Sequence, residues 1–208
     1  YELLTEDQTS FPGTVSTALE KAQLKVQRLI KKAIHEHKQE VTFTPMFPFA
    51  EGPREYQKIA FENWKQNKQV GLFAMATGTG KTITSLNCLL EVYKKTGYYK
   101  AIILVPTITL VNQWENECKR FRFNNIIKVY SKRPKWKSDI ESLHLQERIY
   151  GGEDKVSYVV IATYASFAKD GAFDLLNSLS SRAMFIADEA HNMGSGSIRK
   201  KLPMIRYK

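Results

Sequence analysis

Lys81 and Thr82 close the stretch Met75-Ala76-Thr77-Gly78-Thr79-Gly80-Lys81-Thr82, whose residue types and spacing suit the binding of phosphate groups. It fits the pattern G-x-x-x-x-G-K-(S/T) except at its first position, where Met75 stands for glycine. Gly78 and Gly80 let the backbone turn tightly enough to aim successive N–H groups at phosphate oxygens, and a helix starting near Lys81 adds its positive end. On this reading Lys81 reaches the β- and γ-phosphates of a nucleotide and the Thr82 hydroxyl sits on Mg²⁺. The alternative is a plain glycine turn between a strand and a helix.

Asp188 and Glu189, in Asp188-Glu189-Ala190-His191, are the second candidate pair. They follow the apolar run Ala183-Met184-Phe185-Ile186-Ala187, so they fall at the carboxyl end of an expected strand, the edge at which open α/β sheets bind ligands. Asp188 is suited to the Mg²⁺ shell and Glu189 to polarising a water that attacks the γ-phosphate. Acids after a strand are common, and the pair gains weight from Lys81 and Thr82 on the same edge. Gln57, in Arg54-Glu55-Tyr56-Gln57, offers an amide whose donor and acceptor match the N6 and N7 of adenine. An exposed helix position explains it equally well. The expected nucleotide contacts are therefore Arg54, Gln57, Thr77, Gly78, Thr79, Gly80, Lys81 and Thr82.

The elements that must hold these groups follow from periodicity. Val70-Gly71-Leu72-Phe73-Ala74 reads as the strand feeding the loop, and residues 81–96 as the helix leaving it. Arg54 opens a helix with Tyr56, Ile59, Ala60 and Trp64 at helical spacing. Ala101-Ile102-Ile103-Leu104-Val105 is continuously apolar, as in a strand buried on both faces of a parallel sheet. Pro106 ends it, and a helix runs from Thr107 to about Phe121. Strands are expected at 126–130 and 156–163, with a helix from Tyr164 onward. Such alternation argues for an α/β fold built of right-handed βαβ units.

Around this core lie less regular parts. A helix over about 17–34 carries Leu19, Ala22, Val26, Leu29, Ile30, Ala33 and Ile34 on one face and Lys21, Lys25, Arg28, Lys31 and Lys32 on the other, either a nucleic-acid contact or a solvated face. Residues 41–53, with Pro45, Pro48, Gly52 and Pro53, read as a linker. The expected division is thus 1–48, basic helix and linker, and 49–208, nucleotide-binding domain. Residues 131–155 begin with a basic turn of Lys132, Arg133, Lys135 and Lys137 around Trp136, then a short helix over 138–150. Trp136 either stacks on a nucleic-acid base or packs this insertion onto the domain.

Composition bounds the class. With 208 residues, 43% hydrophobic and 25% charged, the chain can bury a sizeable core. No apolar run approaches the roughly 18 to 20 residues of a membrane span, and the first residues lack a signal-peptide pattern. Cys88 and Cys118 stand apart, without the spacing of a disulfide framework or zinc site, which fits a reducing, cytoplasmic setting. The net charge of +10 favours polyanionic partners, or simply a soluble surface. The first residue is not methionine and the chain stops on Arg206-Tyr207-Lys208, as expected of a fragment of a longer protein.

Taken in order, Arg54-x-Tyr56-Gln57, Ala76 to Thr82, Val105-Pro106-Thr107 with Leu110 and Gln113-Trp114, Ile161-Ala162-Thr163-Tyr164, and Asp188-Glu189-Ala190-His191 resemble the first RecA-like motor domain of superfamily 2 helicases and translocases of the DEAH type. The resemblance covers about residues 50–195. Within it the wording is closest to restriction-enzyme motor subunits and excision-repair helicases, in which Met75 at the first glycine position is usual. It implies a RecA-like P-loop domain, a parallel sheet flanked by helices with an N-terminal helical extension. It further implies ATP and Mg²⁺, and duplex DNA as the favoured partner over RNA. Pro106, Thr107 and the Thr163 region would touch the sugar-phosphate backbone, and His191 would couple the nucleotide site to those contacts or to a second motor domain.

That second RecA-like domain, which in the family supplies an arginine finger worth about 10³ to 10⁵ in rate, is not within these 208 residues. Weak nucleotide binding and little turnover are therefore expected of this chain alone. An upstream domain, a nuclease among the possibilities, is left open. The rival readings are a nucleotide-dependent scaffold that never hydrolyses, an RNA helicase, and a P-loop kinase of small substrates, which needs the loop but neither Gln57 nor the Asp188 to His191 set.

Overall fold

A computed structural model describes residues 21–25, 27, 44–76, 78–149, 156–179, 182–201 and 204. The chain divides into two units, Tyr1–Thr44 and Pro45–Lys208. In the first, residues 21–25 and 27 are helical and exposed. Most of the expected basic helix, including Leu19, Val26, Leu29 and Lys31, lies outside the described residues.

In the second unit four strands, β1 (Lys100–Val105), β2 (Ile126–Val129), β3 (Tyr158–Thr163) and β4 (Met184–Ala187), pair in parallel in the order β2-β3-β1-β4. The helices are α1 (Glu55–Gln66), α2 (Lys81–Thr96), α3 (Ile108–Arg120), α4 (Trp136–Ile149), α5 (Tyr164–Phe167), α6 (Asp170–Asn177) and α7 (Gly196–Arg199), with a 3-10 turn at Ala190–Gly194. β1 and β3 are buried along their whole length, as their unbroken apolar runs require of central parallel strands.

Alternation along the strands sorts the core into two layers. Ile102, Leu104, Val160 and Ala162 face Trp136, Ile140 and Leu143 of α4 and Phe173 and Leu176 of α6. Ala101, Ile103, Val105, Val159 and Ile161 face Leu86, Leu89 and Leu90 of α2 and Val111, Trp114 and Cys118 of α3. Both faces of the sheet are thus covered by helices. At the amino end of β1, Lys100 is fully buried and reaches Glu147 of α4 at 2.7 Å, with its ammonium over the Tyr158 ring. Removing either partner would strand the other charge in the core.

Several local expectations are corrected. Residues 70–74 form no strand: Val70 is 61% and Leu72 is 77% exposed, and the segment carries only local bonds, Ala74 N–H to Leu72 O and Met75 N–H to Phe73 O. Lys68 and Gln69 both take positive φ just before it, turning the chain away as it leaves α1. β4 therefore ends the sheet among the described residues, and its side chains are half-buried. Trp136 is buried and packs α4 on the core, so it offers no face for stacking on a base. The helix after Tyr164 breaks at 168–169 into α5 and α6, because Lys169 is extended (φ −71, ψ 132). The proline-rich stretch is not a free linker from Pro45 on: Met46 N–H bonds to Phe121 O, and the Phe47 ring meets Phe121 edge-on at 5.5 Å.

Candidate active site

The geometry of the phosphate loop starts from its backbone. Gly78 and Gly80 have φ of +81° and +88°, a region in which a Cβ is strained. Gly80 is the N-cap of α2 and provides no side-chain cap, and the first turn of the helix holds no acidic residue. The leading N–H groups of α2 are thereby left to an outside acceptor, and the helix dipole makes an anion the favoured one. Three residues, 97–99, join α2 to β1. At 16 residues α2 is about 24 Å long and β1 about 20 Å, so the helix runs back along the strand and its N-terminus lies at the carboxyl edge of the sheet.

Helix α1 braces this loop. The Tyr56 hydroxyl donates to Thr79 O at 2.7 Å, while Thr79 donates its own hydroxyl to Ala76 O at 2.6 Å. Gln57 is 5% exposed, its Oε1 accepts the Arg54 N–H at 3.0 Å, and a Cβ on Gly80 would stand 3.1 Å from its Nε2. The glutamine is thus a buried cap of α1 packed on the loop, with one amide face still directed at Gly80. Arg54 is exposed, and its guanidinium reaches the Tyr56 hydroxyl at 3.4 Å. Thr77 lies outside the described residues.

Asp188 is the node of the opposite part. Its N–H bonds to Leu104 O at 2.9 Å, extending the β1–β4 ladder by one step. Oδ2 accepts the Trp114 indole N–H at 2.8 Å, Oδ1 accepts the Glu189 N–H at 3.1 Å, and its carbonyl accepts the Tyr164 hydroxyl at 2.9 Å. Burial, with Asp188 and Glu189 nearby, pushes the Tyr164 phenol above its ordinary pKa, so it stays a donor. Glu189 takes φ 52, ψ 58, a left-handed conformation rare for glutamate, and its side chain is 48% exposed. His191 Nδ1 lies 3.5 Å from its carboxylate, and Asn192 Nδ2 donates to its carbonyl.

The remaining expected residues share the same edge with different exposure. Thr107, exposed, caps α3 by accepting the Leu110 N–H, and Pro106 before it is half-buried. Thr163 is 6% exposed, accepts the Ser166 N–H and donates to Ser166 Oγ, so both functions of its hydroxyl are taken within the protein. Among the described residues, no hydrogen bond or ion pair links the loop group to the Asp188 group.

Thr82 and Asp188 supply hard oxygens, and each Asp188 oxygen, bonded once, keeps a lone pair for a cation. Among the described residues no group of three or more acids, histidines or cysteines gathers as a cage. That fits Mg²⁺, which takes one or two protein oxygens and fills its shell with water and phosphate. Tyr56, Trp114 and Tyr164 stand in three of the motifs that carry the resemblance but were given no role of their own; nothing in their spacing told that the hydroxyls and the indole bond to another motif.

A parallel sheet covered on both faces, with a glycine loop, an open helix N-terminus and an acidic pair at its carboxyl edge, defines a RecA-like nucleotide-binding domain. Residues 51–207 match the family described as "Type III restriction enzyme, res subunit", and the chain belongs to that family. It is 27% identical over 144 residues to the "DNA 3'-5' translocase XPB2" of Sulfurisphaera tokodaii, an overlap of 68% of this chain and 26% of the translocase. It is also similar, at 25% identity and a TM-score of 0.53, to the nuclease-deleted Type ISP restriction-modification enzyme LlaGI solved with a DNA substrate mimic, over 71% of this chain and 16% of that one. The chain spans about a quarter or less of either protein. These similarities identify it as a first RecA-like domain of superfamily 2. Among the described residues no helix is long and apolar enough to cross a membrane.

Proposed function

We propose that this chain is the ATP-binding half of a motor that couples ATP hydrolysis to movement on, or remodelling of, DNA. The single observation that carries the reading is the uncapped N-terminus of α2 on the same sheet edge as Asp188 and Glu189. The α2 N–H groups and Lys81 hold the β- and γ-phosphates, while Thr79 and the glycines shape the loop around them. Thr82 and Asp188 would hold Mg²⁺, which would supply positive charge against the phosphates. Trp114 fixes the orientation of Asp188. Glu189 accepts the proton of a water whose oxygen bonds to the γ-phosphorus as the β–γ bridging bond breaks and ADP leaves. His191, 3.5 Å away, orients the glutamate. Gln57 and Arg54 are assigned to the adenine, Gln57 through its Nε2 donor, since its Oε1 already accepts the Arg54 N–H.

DNA is the polymer named for both the translocase and the restriction-enzyme structure, which supports it as the partner here. Thr107, exposed at the N-cap of α3, suits the phosphodiester backbone through its own N–H and hydroxyl, and half-buried Pro106, which has no N–H, shapes the chain just before it. Completion of the ATP cleft requires a second RecA-like domain with its arginine. The buried thiols Cys88 and Cys118 fit a reducing, cytoplasmic setting.

The test is titration with a fluorescent ATP analogue and Mg²⁺. Lys81→Ala should abolish binding, whereas Glu189→Gln should bind as the parent does and stop hydrolysis in the longer protein that carries both motor domains. Equal nucleotide affinity of Lys81→Ala and parent sinks the proposal.

A further inference from the structure

The basic turn after β2 was absorbed by none of the roles above, and its place in the sheet gives it one. Val129 pairs with Ala162 and Val105 with Thr163, so residue 130 stands level with Thr163 and with the end of β1. The turn at 131–135 therefore emerges at the same carboxyl edge as Pro106 and Thr107. With strands about 4.8 Å apart, two strand widths separate it from them, about 10 Å. Phosphates of one strand rise about 3.4 Å each along the duplex axis, so about 10 Å of axis spans about three of them.

Local structure holds the turn in place. Arg133 N–H bonds to Tyr130 O, Asp139 N–H to Lys135 O, and the Ser138 hydroxyl to Lys135 O at 2.8 Å. Trp136, 8% exposed, anchors it in the core. Arg133 is tied to Asp139 at 3.3 Å. Lys132, Lys135 and Lys137 are exposed, and none has an acidic partner among the described residues. The nearest other acid in sequence is exposed Glu141, a turn further along α4. Lys135 and Lys137 also flank the start of a helix, where cations oppose its dipole. A fold selected for stability alone would not gather them there.

We propose that Lys132, Lys135 and Lys137 bind the phosphodiester backbone of duplex DNA, extending the contact line of Pro106 and Thr107 across the β3 end of the sheet. This rests on the reading of the chain as a DNA motor domain. The burial of Trp136 removes the stacking element, so the grip is by charge alone and does not depend on sequence.

The experiment measures binding of a fluorescein-labelled duplex by the chain as a function of salt. Each backbone contact contributes about 0.9 to the slope of log K against log salt, so Lys132→Gln with Lys135→Gln and Lys137→Gln should flatten it by about 2.7. The loss should be equal on A·T-rich and G·C-rich duplexes, and replacement of the three lysines by arginine should keep the parental slope. Affinity for the ATP analogue, unchanged in the triple variant, reports an intact fold. A parental chain that binds duplex with an unaltered slope in the triple variant overturns this inference alone. A parental chain that binds no duplex at low salt overturns both it and the assignment to DNA.

Discussion

Trp114 of α3 donates its indole N–H to the Asp188 carboxylate at 2.8 Å, across 74 positions of sequence. The contact joins the helix that follows β1 to the acid that follows β4. Trp114 is 2% exposed, so water cannot replace the bond.

Trp114→Phe keeps an aromatic ring in that layer and removes the donor. Hydrogen bonds to charged groups contribute about 1.5 to 3 kcal/mol, and a loss of that order is expected in denaturant unfolding. If the tryptophan orients Asp188 for the nucleotide, kcat of the two-domain motor should fall while KM for ATP stays near the parental value. A variant that loses stability with unchanged kcat would reduce Trp114 to a packing residue.

Gly80→Ala and Gly78→Ala separate two costs. Both positions have positive φ, which costs an alanine about 1 to 2 kcal/mol. Only at Gly80 does the new methyl also meet a neighbour, Gln57 Nε2 at 3.1 Å, whereas Gly78 has nothing within 4 Å. Gly80→Ala should therefore be the more damaging to ATP-analogue affinity, and in a Gln57→Ala background the gap between the two glycine variants should narrow. Equal losses at the two glycines would mean that Gln57 does not press on the loop.

Glu115 gives an acid-side signature. It bridges Lys119 at 2.7 Å and Lys128 of β2 at 2.6 Å, fastening α3 to the edge strand. Burial raises its carboxyl pKa, but the hydrogen bonds and charges of the two lysines together outweigh that and hold it below the usual 4.5. A depressed folded pKa means that the stabilisation is complete above about 4.5, the unfolded value, and fades as pH falls through the folded one. Glu115→Gln should lower stability at neutral pH and flatten its decline on acidification, read by thermal unfolding across that range. An unchanged acid limb would assign the decline to other carboxylates.

The central strands were legible in the sequence because β1 and β3 are buried on both faces, and that leaves an unbroken apolar run such as Ala101 to Val105. The same signal misled at residues 70–74, since five apolar residues carry no period that separates a strand from an exposed loop, and the left-handed Lys68 and Gln69 leave no compositional mark. Gly78, Gly80, Asp188 and Glu189 were legible as chemistry. What ties them together was not. The Tyr56 bond to Thr79 and the Trp114 bond to Asp188 join distant positions through side chains whose types are equally at home in a core. Trp136 was ambiguous for the same reason, and only packing against the sheet decided it.

Glu189 holds a backbone conformation that suits glycine or asparagine better than glutamate. Left-handed geometry costs a residue of this kind on the order of 1 kcal/mol, and among the described residues its side chain gains in return only the 3.5 Å approach of His191. Asparagine at this position would fit the backbone and lack the reach and charge of the carboxylate. If Glu189 takes up the proton of the attacking water as proposed, selection for thermal robustness and selection for turnover pull in opposite directions at this position. On that reading, libraries screened only for heat resistance should drift away from glutamate there and yield sturdier proteins that no longer hydrolyse ATP.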